Sequence, residues 1–320
     1  MAHRCHNSLQ YELAMDSLVT FTPSWMDAST LEQSLRGGLR PHESSTPEIR
    51  FVFPVGCKVM IDAAVRLLSL FNQLDKCCKR VTLQFEEGEE GAMGYLNRMG
   101  FFDQLSPNVE VEPSRPFYSG AALYGGGSHR LVEIAEINAE HRDESLPTRL
   151  TNVLMQACEE RTDAQELEGA AWTIFAELID NIFSHSKTRL AGYAALQVYR
   201  GGNNLKVSVS DSGLGIMDTL RPSLESESPT LAALSDIDLL VEVFRQGISR
   251  HGADRGCGLK GSAEKAMKFK ADLDVRLPNI RVLLTPGREG YKPNTAYCYK
   301  NLPLLWGTHI CFTFRLDNSK

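Results

Sequence analysis

The stretch Ala176-Glu177-Leu178-Ile179-Asp180-Asn181-Ile182-Phe183-Ser184-His185-Ser186 sets the reading of the C-terminal half of this chain. It closes a run from about 164 to 186 that predicts a helix, because apolar residues recur at helical spacing. At about 100° per residue, Glu177, Asn181 and His185 fall within about 80° of one another on one stripe, while Phe175, Leu178 and Ile182 can bury the other side. A carboxylate one turn before a carboxamide suits a particular chemistry, in which the amide oxygen binds Mg²⁺ while the carboxylate orients and deprotonates water. Taken alone, such a pair also describes a solvated helix face.

Two glycine-bearing segments follow. Val207-Ser208-Val209-Ser210-Asp211-Ser212-Gly213-Leu214-Gly215-Ile216 reads as a strand running into a turn. An aspartate at a strand end can accept from an exocyclic amine, and the glycines let backbone approach a ligand closely. Asp254-Arg255-Gly256-Cys257-Gly258-Leu259-Lys260-Gly261-Ser262 stands immediately before a predicted helix from about 261 to 269. Glycines at a helix N-terminus expose N–H groups and the positive dipole end to phosphate.

The three segments, in this order and around a long intervening polar stretch, resemble the GHKL (Bergerat-fold) ATPase superfamily, which includes type II topoisomerase, chaperone, histidine kinase and mismatch-repair ATPases. The resemblance covers about residues 165 to 315. It implies a two-layer α/β sandwich in which ATP, bound through Mg²⁺, lies between a helical layer and a lid, here about 216 to 255. It also implies roles. Glu177 would be the general base and Asn181 the Mg²⁺ ligand. Asp211 would read adenine, Gly213 and Gly215 would hinge the lid, and Gly256, Gly258 and Leu259 would form the phosphate-side turn. Thr308, after Gly307, resembles the threonine placed near adenine. Asp180, His185 and Ile216, which flank these motif positions, join the cofactor-binding candidates. Phe244, Gly247 and Ser249 resemble the F-x-x-G-x-S pattern seen before the last glycine box.

Three uses of ATP compete. Glu177 four residues before Asn181 favours hydrolysis, with nucleotide-dependent lid closure controlling association with a protein partner. A histidine kinase needs an acceptor on a helical hairpin, and the upstream candidate, His141, lacks that context. A serine kinase of the anti-sigma type needs no hairpin. A module that binds nucleotide without turnover is the third use. Stand-alone proteins of this kind suggest a bacterial signalling or defence setting by analogy only.

The N-terminal half carries less chemistry. Residues 1–46 read as a polar arm, which motivates a homodimerisation hypothesis. Residues 47–115 read as a smaller βαβα domain: strands at 49–53 and 80–85, helices at about 60–74 and 91–99. In shape it resembles the STAS-like segments that accompany some ATPases of this type. The acidic run Glu86-Glu87-Gly88-Glu89-Glu90 reads as a solvated loop. Residues 116–130, with Gly125-Gly126-Gly127, read as a linker, because a Walker loop would need a following Gly-Lys-Ser/Thr. The ATP-binding domain then spans 131–320, with further strands at about 131–135, 192–199, 205–210, 271–276 and 308–315.

Across 320 residues, 42% hydrophobic and 23% charged side chains describe a globular protein with real cores. A net charge of -6 without a basic stripe argues against nucleic acid as the main partner. No apolar run approaches the ~20 residues of a membrane span, and no signal peptide opens the chain, so the expected location is cytoplasmic. The eight cysteines, lacking a C-x-x-C pair, read as reduced thiols. His309 and Cys311 share a strand face but have no further metal ligands nearby in sequence.

Overall fold

A computed structural model describes residues 18–138, 140–185, 188–246, 248, 257–288 and 290–317, apart from the side chains of 184, 185 and 257. The fold is mixed α/β with parallel and antiparallel sheets. Two compact units divide the chain: unit 1 runs up to Tyr124 and includes Leu302–Leu305, and unit 2 takes Gly125–Asn301 and the residues from Trp306 on.

Unit 1 comprises β1 (Leu18–Thr20), β2 (Trp25–Met26), α1 (Ala28–Arg36), β3 (Glu48–Phe53), β4 (Lys58–Val59), α2 (Ile61–Lys76), β5 (Arg80–Phe85), α3 (Ala92–Arg98), α4 (Phe101–Gln104), β6 (Glu110–Glu112) and α5 (Gly120–Tyr124). Four strands form one sheet in the order β1-β3-β5-β6, each pair parallel. Parallel neighbours need crossovers, which α1, α2 and the α3–α4 pair supply. One face of β3 and β5 sends Ile49, Phe51, Phe53, Val81, Leu83 and Phe85 into the core, and Val52 and Thr82 on the other face are buried too. Phenylalanines lock it: Phe53 and Phe85 stack at 4.3 Å between centroids, and Phe51 meets Phe71 of α2 at 4.7 Å. Each such side chain contributes about 1.5–3 kcal/mol by leaving water.

Residues 18–46 depart from the arm expected there. β1 pairs with β3 through Leu18↔Arg50 and Val19↔Phe51. α1 is N-capped by Asp27, whose Oδ1 accepts from Thr30 N at 2.8 Å, and it buries Leu31 and Leu35. A three-residue strand is too short to show alternation, and polar Ser29 and Glu32 occupy buried positions of α1, which hides its apolar stripe. The dimerisation hypothesis therefore keeps no loose segment among the described residues, and 1–17 lie outside them. The acidic run is also more than a solvated loop: Glu86 and Glu87 accept from Val55 N and Gly56 N at 3.1 and 2.9 Å. Cys77 and Cys78 are exposed, whereas Cys57, Cys158 and Cys311 are buried free thiols.

Unit 2 comprises β7 (Leu131–Ile137), α6 (Leu146–Ala157), α7 (Ala164–His185), β8 (Gly192–Tyr199), β9 (Asn204–Ser210), α8 (Ile216–Glu227), α9 (Pro229–Ala232), α10 (Asp236–Gln246), α11 (Cys257–Lys268), β10 (Asp272–Leu277), β11 (Ile280–Pro286), β12 (Tyr291–Pro293) and β13 (His309–Arg315). Its strands form a seven-stranded antiparallel sheet in the order β12-β11-β10-β13-β9-β8-β7. The helices pack on one face of it, and the core runs from Leu167, Ile174 and Phe175 of α7 to Val207 and Val209 of β9 and Ile310 and Phe312 of β13. His309 and Cys311 alternate with these and are buried on the opposite face.

Among the described residues, the stretch read as a long polar segment forms three helices. Arg221 of α8 ties them, donating to Leu234 O at 2.9 Å, to Asp236 Oδ1 at 2.6 Å, and to Ala232 O. α10 buries Leu239, Leu240, Val243 and Phe244. Their spacing of one, three and one is helical, but the polar residues around them dilute it. β11 and β12 were likewise absent from the sequence expectation. Among the described residues, no helix is long and apolar enough to cross a membrane.

Candidate functional site

Glu177 and Asn181 stand on α7, one turn apart, on the flank left when Leu178 and Ile182 turn to the core. A cleft of about 970 Å³, counting its open mouth, lies beside them. Its lining brings together Glu177, Asn181, Asp211, Gly215, Ile216, Gly258, Leu259 and Thr308. These come from α7, the end of β9, the start of α8, the start of α11 and the entry to β13. Apolar side chains complete the walls: Leu178, Ile182, Val209, Leu220, Val243 and Ile310.

Asp211 is the most constrained polar group. Its own N–H donates to Thr308 O at 3.0 Å, while its Oδ2 accepts from Thr308 N at 3.1 Å and its Oδ1 from Gly213 N at 2.7 Å. The clasp continues the β9–β13 pairing, whose last rung is Ser210↔His309. The residue keeps some exposure to the open cleft, yet its carboxyl is deeply enclosed. Burial pushes its pKa up to about 6, against the pull of the two backbone donors. Gly307 makes the clasp possible: with φ +92, a Cβ there would meet Asp211 O at 2.1 Å.

Gly215 has φ +84 and precedes α8, whose Thr219 hydroxyl donates to Gly215 O at 3.1 Å. A Cβ at Gly215 would come within 3.0 Å of Pro278 Cδ and 3.2 Å of Gly307 O, so the turns at 215 and 307 pack against each other. Asn181 is half-buried, and its Nδ2 has no hydrogen-bond partner among the described residues. Across the cleft the first turn of α11 approaches α7 so closely that a Cβ on Gly258 would stand 2.3 Å from Glu177 Oε2.

Other sequence candidates among the described residues lie elsewhere. Asp180 is exposed and pairs with Arg142 at 2.8 Å, away from the cleft lining. Gly213 is not part of the lining and serves Asp211 through its N–H. Gly247, Ser249, Asp254, Arg255 and Gly256, together with the side chain of His185, lie outside the described residues. Phe244 is buried in α10. His141 is exposed, bridges Asn138 and precedes α6 without joining it.

Thr219, Leu220, Val243 and Ile248 also line the cleft and were not among the sequence candidates. Thr219 and Leu220 sit one turn into α8 and have no motif of their own. Val243 was legible in principle, through the Leu239, Leu240, Val243, Phe244 spacing. No protein-family model matches the chain, and no curated protein matches it.

Proposed function

We propose that unit 2 binds ATP with Mg²⁺ and hydrolyses it, as a nucleotide site of the GHKL kind. The observation that carries this reading is the convergence of Glu177, Asn181, Asp211, Gly215, Gly258 and Thr308, far apart in sequence, on one cleft with apolar walls. An adenine ring suits such walls, and the Asp211 carboxylate can accept its exocyclic N–H. A donor there would relieve part of the desolvation that Asp211 now bears.

The residues also fit a cation. Asn181 offers an amide whose buried Nδ2 position is unengaged among the described residues, the assignment of its oxygen and nitrogen being interchangeable. Among the described residues, no cluster of three or more His, Cys, Asp or Glu side chains could hold a metal by itself. Mg²⁺ accepts such a sparse protein shell, taking its remaining oxygens from phosphates and water. When bound, it would neutralise charge on the phosphates.

Glu177, on the same stripe as Asn181, takes a proton from the attacking water as that oxygen bonds to the terminal phosphorus, while the bond to the bridging oxygen breaks and ADP leaves. The helices α8 to α10, tied by Arg221 and hinged at Gly215, form the lid. Its closure over nucleotide would control association with a protein partner.

The test is incubation with γ-labelled ATP and Mg²⁺, following free phosphate and label on protein, for the parent, Glu177→Ala and Asn181→Ala. Phosphate release should fall by about 10²-fold or more in both variants. Label accumulating on protein would reassign the chain to the kinases. Tight binding with neither signal would leave a nucleotide-gated binding module.

A further inference from the structure

Gly258 is helical, in the first turn of α11, so left-handed backbone freedom is not what its glycine supplies. What sets it apart is a neighbour. A Cβ at 258 would stand 2.3 Å from Glu177 Oε2 and 3.2 Å from its Cδ, a separation that real side chains do not tolerate. A side chain at 258 and the present seat of the Glu177 carboxylate exclude each other. One and two turns further along the same side of α11, Ser262 and Ala266 are buried, so this is the packed side of the helix. The first-turn N–H groups and positive dipole end of α11 favour a carboxylate at this place.

We propose that Gly258 is a positioning residue for Glu177: its missing Cβ is the seat that holds the carboxylate at the cleft wall in the orientation needed to receive a proton from water. The proposal rests on the reading of Glu177 as the general base. The group that would have to move in Gly258→Ala is the far end of a flexible side chain, so the substitution displaces the carboxylate without breaking the helix. Alanine is in fact the stronger helix former. A misplaced base lowers turnover.

Two measurements test this. In the nucleotide-free protein, Tm is compared for the parent, Gly258→Ala, Glu177→Ala and the double variant. With the carboxylate removed, Gly258→Ala should raise Tm; with it present, the same change should raise Tm less, or lower it. Equal shifts in both backgrounds would overturn the proposal. In turnover, Gly258→Ala should lower kcat at least about tenfold. Glu177→Asp, harmful alone, should recover part of kcat in the Gly258→Ala background by drawing the carboxylate back one methylene. Unchanged kcat in Gly258→Ala would overturn the proposal. A parent that releases no phosphate would remove the hydrolase reading, and the Tm comparison would still decide the contact.

Discussion

Both units bury carboxylates, and they surround them differently. In unit 1, Asp62 of α2 is 3% exposed and accepts from Ala28 N, the first residue of α1, at 3.1 Å. Glu32 of α1 lies 3.9 Å from Arg66 of α2, with both side chains 1% exposed. Each of these carboxylates meets a group on the other helix of the α1–α2 pair. In unit 2, Asp211 has two backbone donors, yet burial still pushes its pKa up to about 6, and it opens on a cleft. A buried charge answered within the fold holds elements together, whereas one still opposed by desolvation at the edge of a cavity is improved by a ligand that donates to it.

The largest expected effect tests the first half of that contrast. Arg66→Ala removes the cation beside buried Glu32 and should cost about 3–5 kcal/mol in chemical denaturation. A loss below about 1 kcal/mol would show that the pair does not offset the burial. Next comes the Asp211 clasp. Gly307→Ala forces a side chain onto φ +92 and against Asp211 O, and should cost on the order of 3 kcal/mol. Wild-type stability would mean that the 211–308 turn yields easily.

A pH titration sharpens the second half. Because the folded pKa of Asp211 is raised to about 6, its contribution to stability is present below pH about 4 and is lost as pH rises through about 6. A nucleotide that donates to the carboxylate needs the ionised form, so its affinity runs the other way. Calorimetric titration at pH about 5 should give roughly tenfold weaker binding than at pH about 7. Equal affinities would separate Asp211 from the ligand. The smallest effect is a control: Lys268→Ala removes an ion pair to Glu166 in which both side chains are 63% exposed, and should change stability by less than about 0.5 kcal/mol.

Much of unit 2 was legible because its elements are long. The spacing of Leu167, Ile174, Phe175 and Leu178 predicts α7, and the alternating Val207 and Val209 predict β9. The short or diluted elements were not. β1 has three residues, β12 has three, and α10 sits in a polar stretch. Their periodicity is too brief to rise above local composition, and neighbours across the fold stabilise them. Among site candidates, Glu177, Asn181, Asp211 and Gly258 could be named because residue type and spacing carry their chemistry. Thr219, Leu220, Val243 and Ile248 could not, since an apolar wall has no motif.

By itself the sequence determined which polar groups stand ready: the acid and amide one helical turn apart, the aspartate at a strand end, and the glycines where backbone must bend or approach. Local geometry dictates each of these within a few residues. Only the tertiary structure decided that Asp211 would be clasped by Thr308, 97 residues away, that Gly258 would press on Glu177, and that Asp180 would turn instead to Arg142. Those pairings depend on how the antiparallel sheet sets the end of β9 beside the start of β13 and how α11 packs on α7, and a packing relation between distant segments has no signature in the local pattern of either one.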